Sequence, residues 1–591
     1  MPRPLELAPP RVIVEPRADG TTLVRSPEPL APHARAVTEW LARWAREAPE
    51  RTFLTERAPD GTRTALRYGE ARARVEAAAA ALLALGASAE RPLMILAESS
   101  IAHALFALGA QHVGVAAAPV SPAYSRLSTD HAKLRAIVEL LRPAVLFVDE
   151  PAAHAAALAK LPLEGVRVIA ERGAGPGHLD AGALSRGGAS PDVARAHAAV
   201  GPDTVAKILF TSGSTGEPKG VINTQRMLTA NQQMIAQCWP FLRARAPVLV
   251  DWLPWNHTFG ANHNFFMVLA HGGTLHINHG KPVPGLVEET VANLRELSPT
   301  LYFDVPRGFD VLLPYLEADG ALRERFFAEL DLVFYAGAAL PQSLWDRMEA
   351  VSARARGAPI PMVSAWGSTE TSPLVTSVHF PIARAGVIGL PAPGCEVKLV
   401  PNAGKLEMRV RGPNVTPGYL GRPDLTAEAF DEEGFYRIGD AGRFEDPTRP
   451  EQGLVFDGRV SESFKLTTGT WVHAGTLRVA LVAACSPVVQ DAVITGHDRD
   501  EIGALLFPSP IEWGRAADPR AVILEGLRAL DARAAGSSRA ITRALVLDEP
   551  PSIDAGEITD KGYVNQRRVL ERRAALVARL YDDADPEVLR P

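Results

Sequence analysis

Apolar positions along this 591-residue chain follow two alternating patterns. Val37, Trp40, Leu41 and Trp44 fall at i, i+3, i+4 and i+7, the spacing of one buried helix face. Short, mostly apolar runs come next, of the length expected for buried strands: 93–97, 113–119, 145–148, 166–170 and 205–210. Further runs at 248–253, 274–277, 301–305, 332–335 and 362–365 continue the series. Helical stretches separate them, at 101–111, from Gln225 onward, near 265–270 and at 287–297. The alanine-rich run 77–85 reads as a buried helix, too short to cross a bilayer, which takes ~20 residues. This alternation predicts mostly parallel sheets covered by helices. The first thirty residues are rich in proline and predict an extended arm.

The pattern changes twice. From Gly386, short β-like runs at 397–400 and 406–410 are punctuated by glycine and proline, as in a small β-rich subdomain. After Asp457-Gly458-Arg459, strands near Phe464, Val493 and Leu505 and helices near 522–535 and 563–581 predict a compact α+β unit. The expected organisation is an α/β chain with a large domain at 1–459, a small mobile domain at 460–591 and a hinge near Ser461.

Composition adds only exclusions. Apolar residues make up 47% and charged residues 22%, with a net charge of −6, which gives no reason to expect nucleic acid or anionic lipid as a partner. Cys238, Cys395 and Cys485 have no paired spacing, so neither a disulfide framework nor a zinc ribbon is expected and a reducing cytoplasm is the default. The opening residues Met1-Pro2-Arg3-Pro4 lead to no signal-like apolar run. A homodimer remains open as the assembly.

The richest chemistry lies at Thr211-Ser212-Gly213-Ser214-Thr215-Gly216-Glu217-Pro218-Lys219-Gly220. A buried strand running into small residues lets N–H groups and hydroxyls converge on a polyanion. No register satisfies the Walker pattern, because Gly220 follows the lysine and Pro218 precedes it, and the Rossmann glycine spacing is absent too. Triphosphate handling of another kind is expected.

Other motifs stand in order around this loop: Trp366-Gly367-Ser368-Thr369-Glu370, Tyr436-Arg437-Ile438-Gly439-Asp440, Gly458-Arg459 with Lys465 beyond, and Ile558-Thr559-Asp560-Lys561-Gly562. Together they resemble the adenylate-forming acyl-CoA synthetase superfamily, which includes luciferases and the adenylation domains of peptide synthetases. Three segments resemble bacterial feruloyl-CoA synthases more closely: 255–262 around His257, 464–472 around Lys465, and Pro551-Ser552-Ile553-Asp554 with 558–563.

The resemblance implies ATP, Mg²⁺ and coenzyme A as reactants and a small carboxylic acid as substrate. A carboxylate attacks the α-phosphorus of ATP to give acyl-AMP and pyrophosphate, and a thiol then displaces AMP. On this reading Thr211, Ser212, Gly213, Ser214, Thr215, Gly216 and Lys219 hold phosphates. Glu370, with Thr215, binds magnesium. Trp366, Gly367, Ser368, Thr369, Gly337 and Ala338 surround the nucleotide, with the Trp366 ring, where most relatives have tyrosine, stacking on adenine. Asp440 takes the ribose hydroxyls and Arg459 reaches ribose or phosphate. His257, Asn262, Val305, Tyr335, Ala336 and Gly337 line the acyl group. Lys561, with His257 and Glu370, forms the catalytic set, joining carboxylate and α-phosphate. Ser461, Lys465 and Gly469 serve the hinge and the thiol step. Ferulate or a related hydroxycinnamate is the expected acid. Another aryl or fatty acid, a separate carrier protein as acceptor, and nucleotide binding without catalysis stay open.

Overall fold

The computed structural model describes residues 5–58, 60–188, 190–212, 217–283, 285–402, 404–510, 512–533, 540–559, 562 and 564–591. Its main body contains two large sheets and a four-stranded one. The first large sheet runs in the order Pro218–Thr224, Val205–Ser212, Ala117–Pro119, Leu93–Leu96, Val145–Val148, Arg167–Ala170, His178–Asp180. All its pairings are parallel except the hairpin of its first two strands. Its central strands are buried throughout, which explains their unbroken apolar sequence.

The second large sheet has eleven strands. At one end Leu301–Asp304, Leu332–Tyr335 and Met362–Gly367 are parallel. At the other, Glu396–Asn402, Lys405–Arg411, Tyr436–Phe444 and Leu454–Arg459 form an antiparallel ladder. The β-rich region is therefore continuous with the parallel end through Leu374–Ser377 and Val387–Pro391. The proline-rich arm is not simply extended. It forms the hairpin Ile13–Pro16 and Thr22–Arg25, whose second strand pairs with Glu396–Asn402.

Val248–Asp251 and Thr274–Ile277 belong to the four-stranded sheet together with Thr52–Arg57 and Arg63–Arg67, a hairpin whose charged faces hid it in the sequence. Beyond Arg459 lie a two-stranded hairpin, Ser463–Lys465 with Trp471–His473, and a three-stranded sheet, Val489–Thr495, Ile502–Pro508 and Ile541–Val546. The expected last helix is two, Gln566–Arg572 and Ala574–Leu580. The small unit has its own apolar core, built around Val472, Leu481, Ile494, Ile502 and Ile523.

The two units touch through the sequence motif at 551–554. Asp554 Oδ2 accepts from the Thr129 N–H at 3.0 Å and the Thr129 hydroxyl at 2.8 Å. Lys133 Nζ donates to the Ile553 carbonyl at 2.6 Å, and Ile553 packs against the apolar cluster around Tyr124 and Leu134.

Candidate active site

The carboxyl ends of the parallel strands gather the candidate residues, the place where open α/β sheets leave a crevice. Val305 follows Leu301–Asp304, Ala336 and Gly337 follow Leu332–Tyr335, and Ser368 and Glu370 follow Met362–Gly367. His257 follows Val248–Asp251 in the adjoining sheet. Gly337 has φ +85°, a left-handed turn that favours glycine, and it lies exposed beside exposed Ala338.

The antiparallel ladder supplies the other wall. Asp440 and Arg459 face each other in register, with Arg459 Nε 3.6 Å from Asp440 Oδ1. The Trp366 indole N–H donates to Asp440 Oδ2 at 2.8 Å. Oδ1 is buried and has no hydrogen-bond partner. Burial pushes the Asp440 carboxyl up, the Arg459 charge and the Trp366 bond counter it, and the Glu370 charge adds to it. An acceptor-only group left unpaired in a buried site is costly unless a ligand donor reaches it. Trp366 is itself 7% exposed, and its indole bond fixes the orientation of the Asp440 carboxylate.

Glu370 is also buried. Its Oε1 accepts from the Tyr419 hydroxyl at 3.1 Å, and Tyr419 lies 3.3 Å from the Tyr436 hydroxyl. Burial and the Glu370 charge hold both phenols protonated, well above their ordinary range. Lys219 sits over the Tyr419 ring at 5.3 Å. It lies on a strand and pairs with Thr211 across the hairpin, so Pro218, Lys219 and Gly220 of the sequence-read loop belong to the strand. Gly213, Ser214, Thr215 and Gly216, and Lys561 near the C-terminus, lie outside the described residues, as does the Ser212 side chain. No group of three or more His, Cys, Asp or Glu suited to a metal occurs among the described residues. A divalent cation here would rest on Glu370 plus substrate oxygens, a donor set that suits Mg²⁺.

The acyl-side candidates gather around one unusual element. Phe259–Phe265 is π-helical, a form concentrated at functional sites. Gly260 makes it possible: a Cβ there would come within 2.4 Å of the Leu253 carbonyl oxygen. His257, just before it, is half-buried, with Nε2 3.5 Å from Asn256 Nδ2. Asn262 is fully buried, donating to Asn223 Oδ1 at 2.9 Å and Thr258 Oγ1 at 3.1 Å. Phe334 faces this element, 5.6 Å from the Phe259 ring and 5.1 Å from His263. Tyr335, one residue on, turns the other way: it packs on Trp345 and its hydroxyl accepts from the Gly386 N–H at 3.2 Å. The structure thus brings the Phe334 ring, not the Tyr335 ring, against Phe259 and His263. The alternation of a strand carried that signal.

Two buried acids were not singled out from sequence. Asp251 accepts from Asn264 Nδ2 at 2.9 Å and the Leu253 N–H at 3.0 Å. Asp304 accepts from Trp252 Nε1 at 3.1 Å, the Val305 N–H at 2.8 Å and the Tyr302 hydroxyl at 3.1 Å. Burial raises both carboxyls to about 7.

At the unit junction Ser461 is exposed in the turn Val460–Glu462. Lys465 is exposed over the Trp471 ring at 4.9 Å, and Gly469, φ +83°, makes the tight turn between the hairpin strands.

Comparison with known proteins supports the fold. A model of AMP-binding enzymes matches residues 41–420, and a model of the AMP-binding enzyme C-terminal domain matches 463–585. A long-chain-fatty-acid–CoA ligase of Mycobacterium bovis is 26% identical, covering 90% of this chain and 94% of that one. A probable CoA ligase of Humulus lupulus is 25% identical over 60% of this chain, and the chain spans only 60% of that relative's length. ATP-bound MatB from Rhodopseudomonas palustris superimposes with a TM-score of 0.70 at 22% identity, covering 92% of this chain and 99% of that one. No described helix is long and apolar enough to cross a membrane.

Proposed function

We propose, from the premise that this chain belongs to the AMP-binding enzyme family, that it is an ATP-dependent acid–thiol ligase. It activates a carboxylic acid as acyl-AMP, releases pyrophosphate and passes the acyl group to coenzyme A. The observation that carries the reading is the buried Asp440 Oδ1, which faces Arg459 at 3.6 Å but accepts no hydrogen bond, on a carboxylate held by Trp366. It is an acceptor awaiting a donor of ribose type.

The reaction needs no enzyme nucleophile. Positioning and charge neutralisation carry it. Asp440 fixes the ribose, and Thr211 with residues 213–216 steadies the departing pyrophosphate. Glu370 would hold Mg²⁺, which neutralises phosphate charge when bound. His257 and the Phe259–Phe265 element orient the acid, and Lys561 bridges its carboxylate to the α-phosphate. The unit beyond Arg459 then turns about Ser461, bringing Lys465 and Gly469 toward the site for the thiol step. The domain boundary belongs to this proposal and lies at 459/460.

The acid we favour is ferulate or a related hydroxycinnamate, supported by the His257, Lys465 and Ile553-Asp554 segments. The fatty-acid name of the Mycobacterium bovis relative supports the rival. Acid-dependent exchange of pyrophosphate into ATP, followed by CoA-dependent AMP release across cinnamates, benzoates and fatty acids, tests both levels. Exchange with no acid would overturn ligase activity. A fatty-acid preference would overturn only the hydroxycinnamate assignment.

A further inference from the structure

Lys207 is an unusual residue for the middle of a buried strand. It lies on Val205–Ser212, is 5% exposed, and sits in register with Ala117 of the neighbouring parallel strand. Its ammonium has three donors. One goes to Asn262 Oδ1 at 3.1 Å, and the Phe266 ring lies 4.7 Å away. No carboxylate pairs with it among the described residues, and burial alone lowers the amine to about 7. An amine placed so deep without a counter-ion costs stability. A mere packing role would be served better by methionine or leucine.

A cavity of about 20 Å³ opens beside it, walled by Trp255, Phe265, Phe266 and Ala261 and reached by His103 and Gln111. Gln111 Oε1 is buried and has no partner. The space admits about one oxygen-sized group. It also lies next to the acyl-side candidates. Asn262, which accepts from Lys207, donates to Thr258, the residue after His257, and Trp255 and Ala261 flank the same segment. A chain of polar contacts thus runs from the His257 region inward to an unsatisfied amine, between aromatic walls.

We propose that Lys207 is the inner end of the acid-binding pocket and selects carboxylic acids that carry a hydroxyl oxygen at the end remote from the carboxylate. The inference rests on the acid-activating reading above and adds the specificity residue. As an ammonium, Lys207 donates to that oxygen; as a neutral amine it accepts the hydroxyl proton. The hydroxyl is bonded in either state, and an acid lacking it leaves the amine unsatisfied in a dry pocket. Sites built around a buried polar partner discriminate strongly against analogues without the matching group.

The test is pyrophosphate exchange with two acids that differ only in the remote oxygen, 4-hydroxycinnamate and cinnamate, on the wild-type protein and on Lys207→Met. The wild type should favour the hydroxylated acid by at least about tenfold in kcat/KM. In Lys207→Met the ratio should fall to within about threefold of unity. A wild-type ratio near one overturns the proposal without reference to any variant, and so does a ratio that Lys207→Met leaves unchanged. Circular dichroism and thermal unfolding of the variant separate lost selectivity from lost fold, and removal of a buried unpaired charge should not lower its midpoint. Exchange with neither these acids nor any other would bring down the ligase reading itself, and this inference with it.

Discussion

Asp440 shows how one side chain is prepared by its neighbours. One carboxylate oxygen accepts from Trp366, and the other faces Arg459 without a hydrogen bond. Trp366→Phe keeps an aromatic ring and removes the N–H. The KM for ATP should rise roughly tenfold, as expected for losing a hydrogen bond to a charged group, and the preference for ATP over 2′-deoxy-ATP should shrink. Steady-state kinetics with both nucleotides decide this, and an unchanged preference would assign Trp366 to packing or base stacking alone. The Asp440 and Glu370 motifs were legible because their residue order is distinctive. Tyr419, Asp304 and Lys207 were not, because each is an ordinary residue in an ordinary run and acquires meaning only through burial. For Asp304 the consequence is a pH dependence. Its folded carboxyl is raised to about 7, above the ordinary carboxylate value of ~4. The folded state therefore binds more protons between those values, and this group's contribution to stability falls as pH rises from ~4 to ~7. Asp304→Asn removes that loss, so its melting temperature relative to wild type should climb over the same window. Thermal unfolding at pH 5 and pH 8 checks this, and equal differences at the two values would refute it.

Among elements, the π-helical segment Phe259–Phe265 carries the greatest functional weight. It directs Asn262 to Asn223 and Asn264 to Asp251, where a regular helix would repeat its faces every 3.6 residues. The sequence predicted a helix only near 265–270, because the π-helical turns obscure the usual period. Gly260→Ala would force its methyl into the Leu253 carbonyl. Pyrophosphate exchange should fall at least about tenfold, with a loss of stability of roughly 1–3 kcal/mol. Denaturant unfolding together with exchange rates measures both effects, and full activity would show that the bend is not required. The parallel strands were readable because burial on both faces leaves an apolar run. The hairpins Ile13–Arg25 and Thr52–Arg67 were missed because their outward faces mix charge with short apolar spacing.

For the molecule as a whole, the large unit holds Glu370, Asp440 and Arg459, and the small unit docks on it through Ile553 and Asp554. That contact joins residues more than four hundred positions apart, which explains why the motif at 551–554 was visible in sequence while its task was not. If the small unit serves two successive steps, its residues must separate them. Lys561→Ala should abolish acyl-AMP formation, about a hundredfold or more in exchange, and largely spare thioester formation from supplied acyl-AMP. Ser461→Pro should do the reverse, keeping exchange and slowing thioester release. Equal loss of both steps in either variant would contradict the assignment. The central claim, adenylation of an acid followed by thioester formation, is tested most directly by one experiment. The protein is mixed with ATP, Mg²⁺ and 4-hydroxycinnamate without CoA, then chased with CoA, and the nucleotide and acyl products are resolved by mass spectrometry. The account predicts pyrophosphate and bound acyl-AMP before the chase, and AMP with acyl-CoA after it. Release of ADP and phosphate, or ATP unchanged with every acid offered, would contradict it.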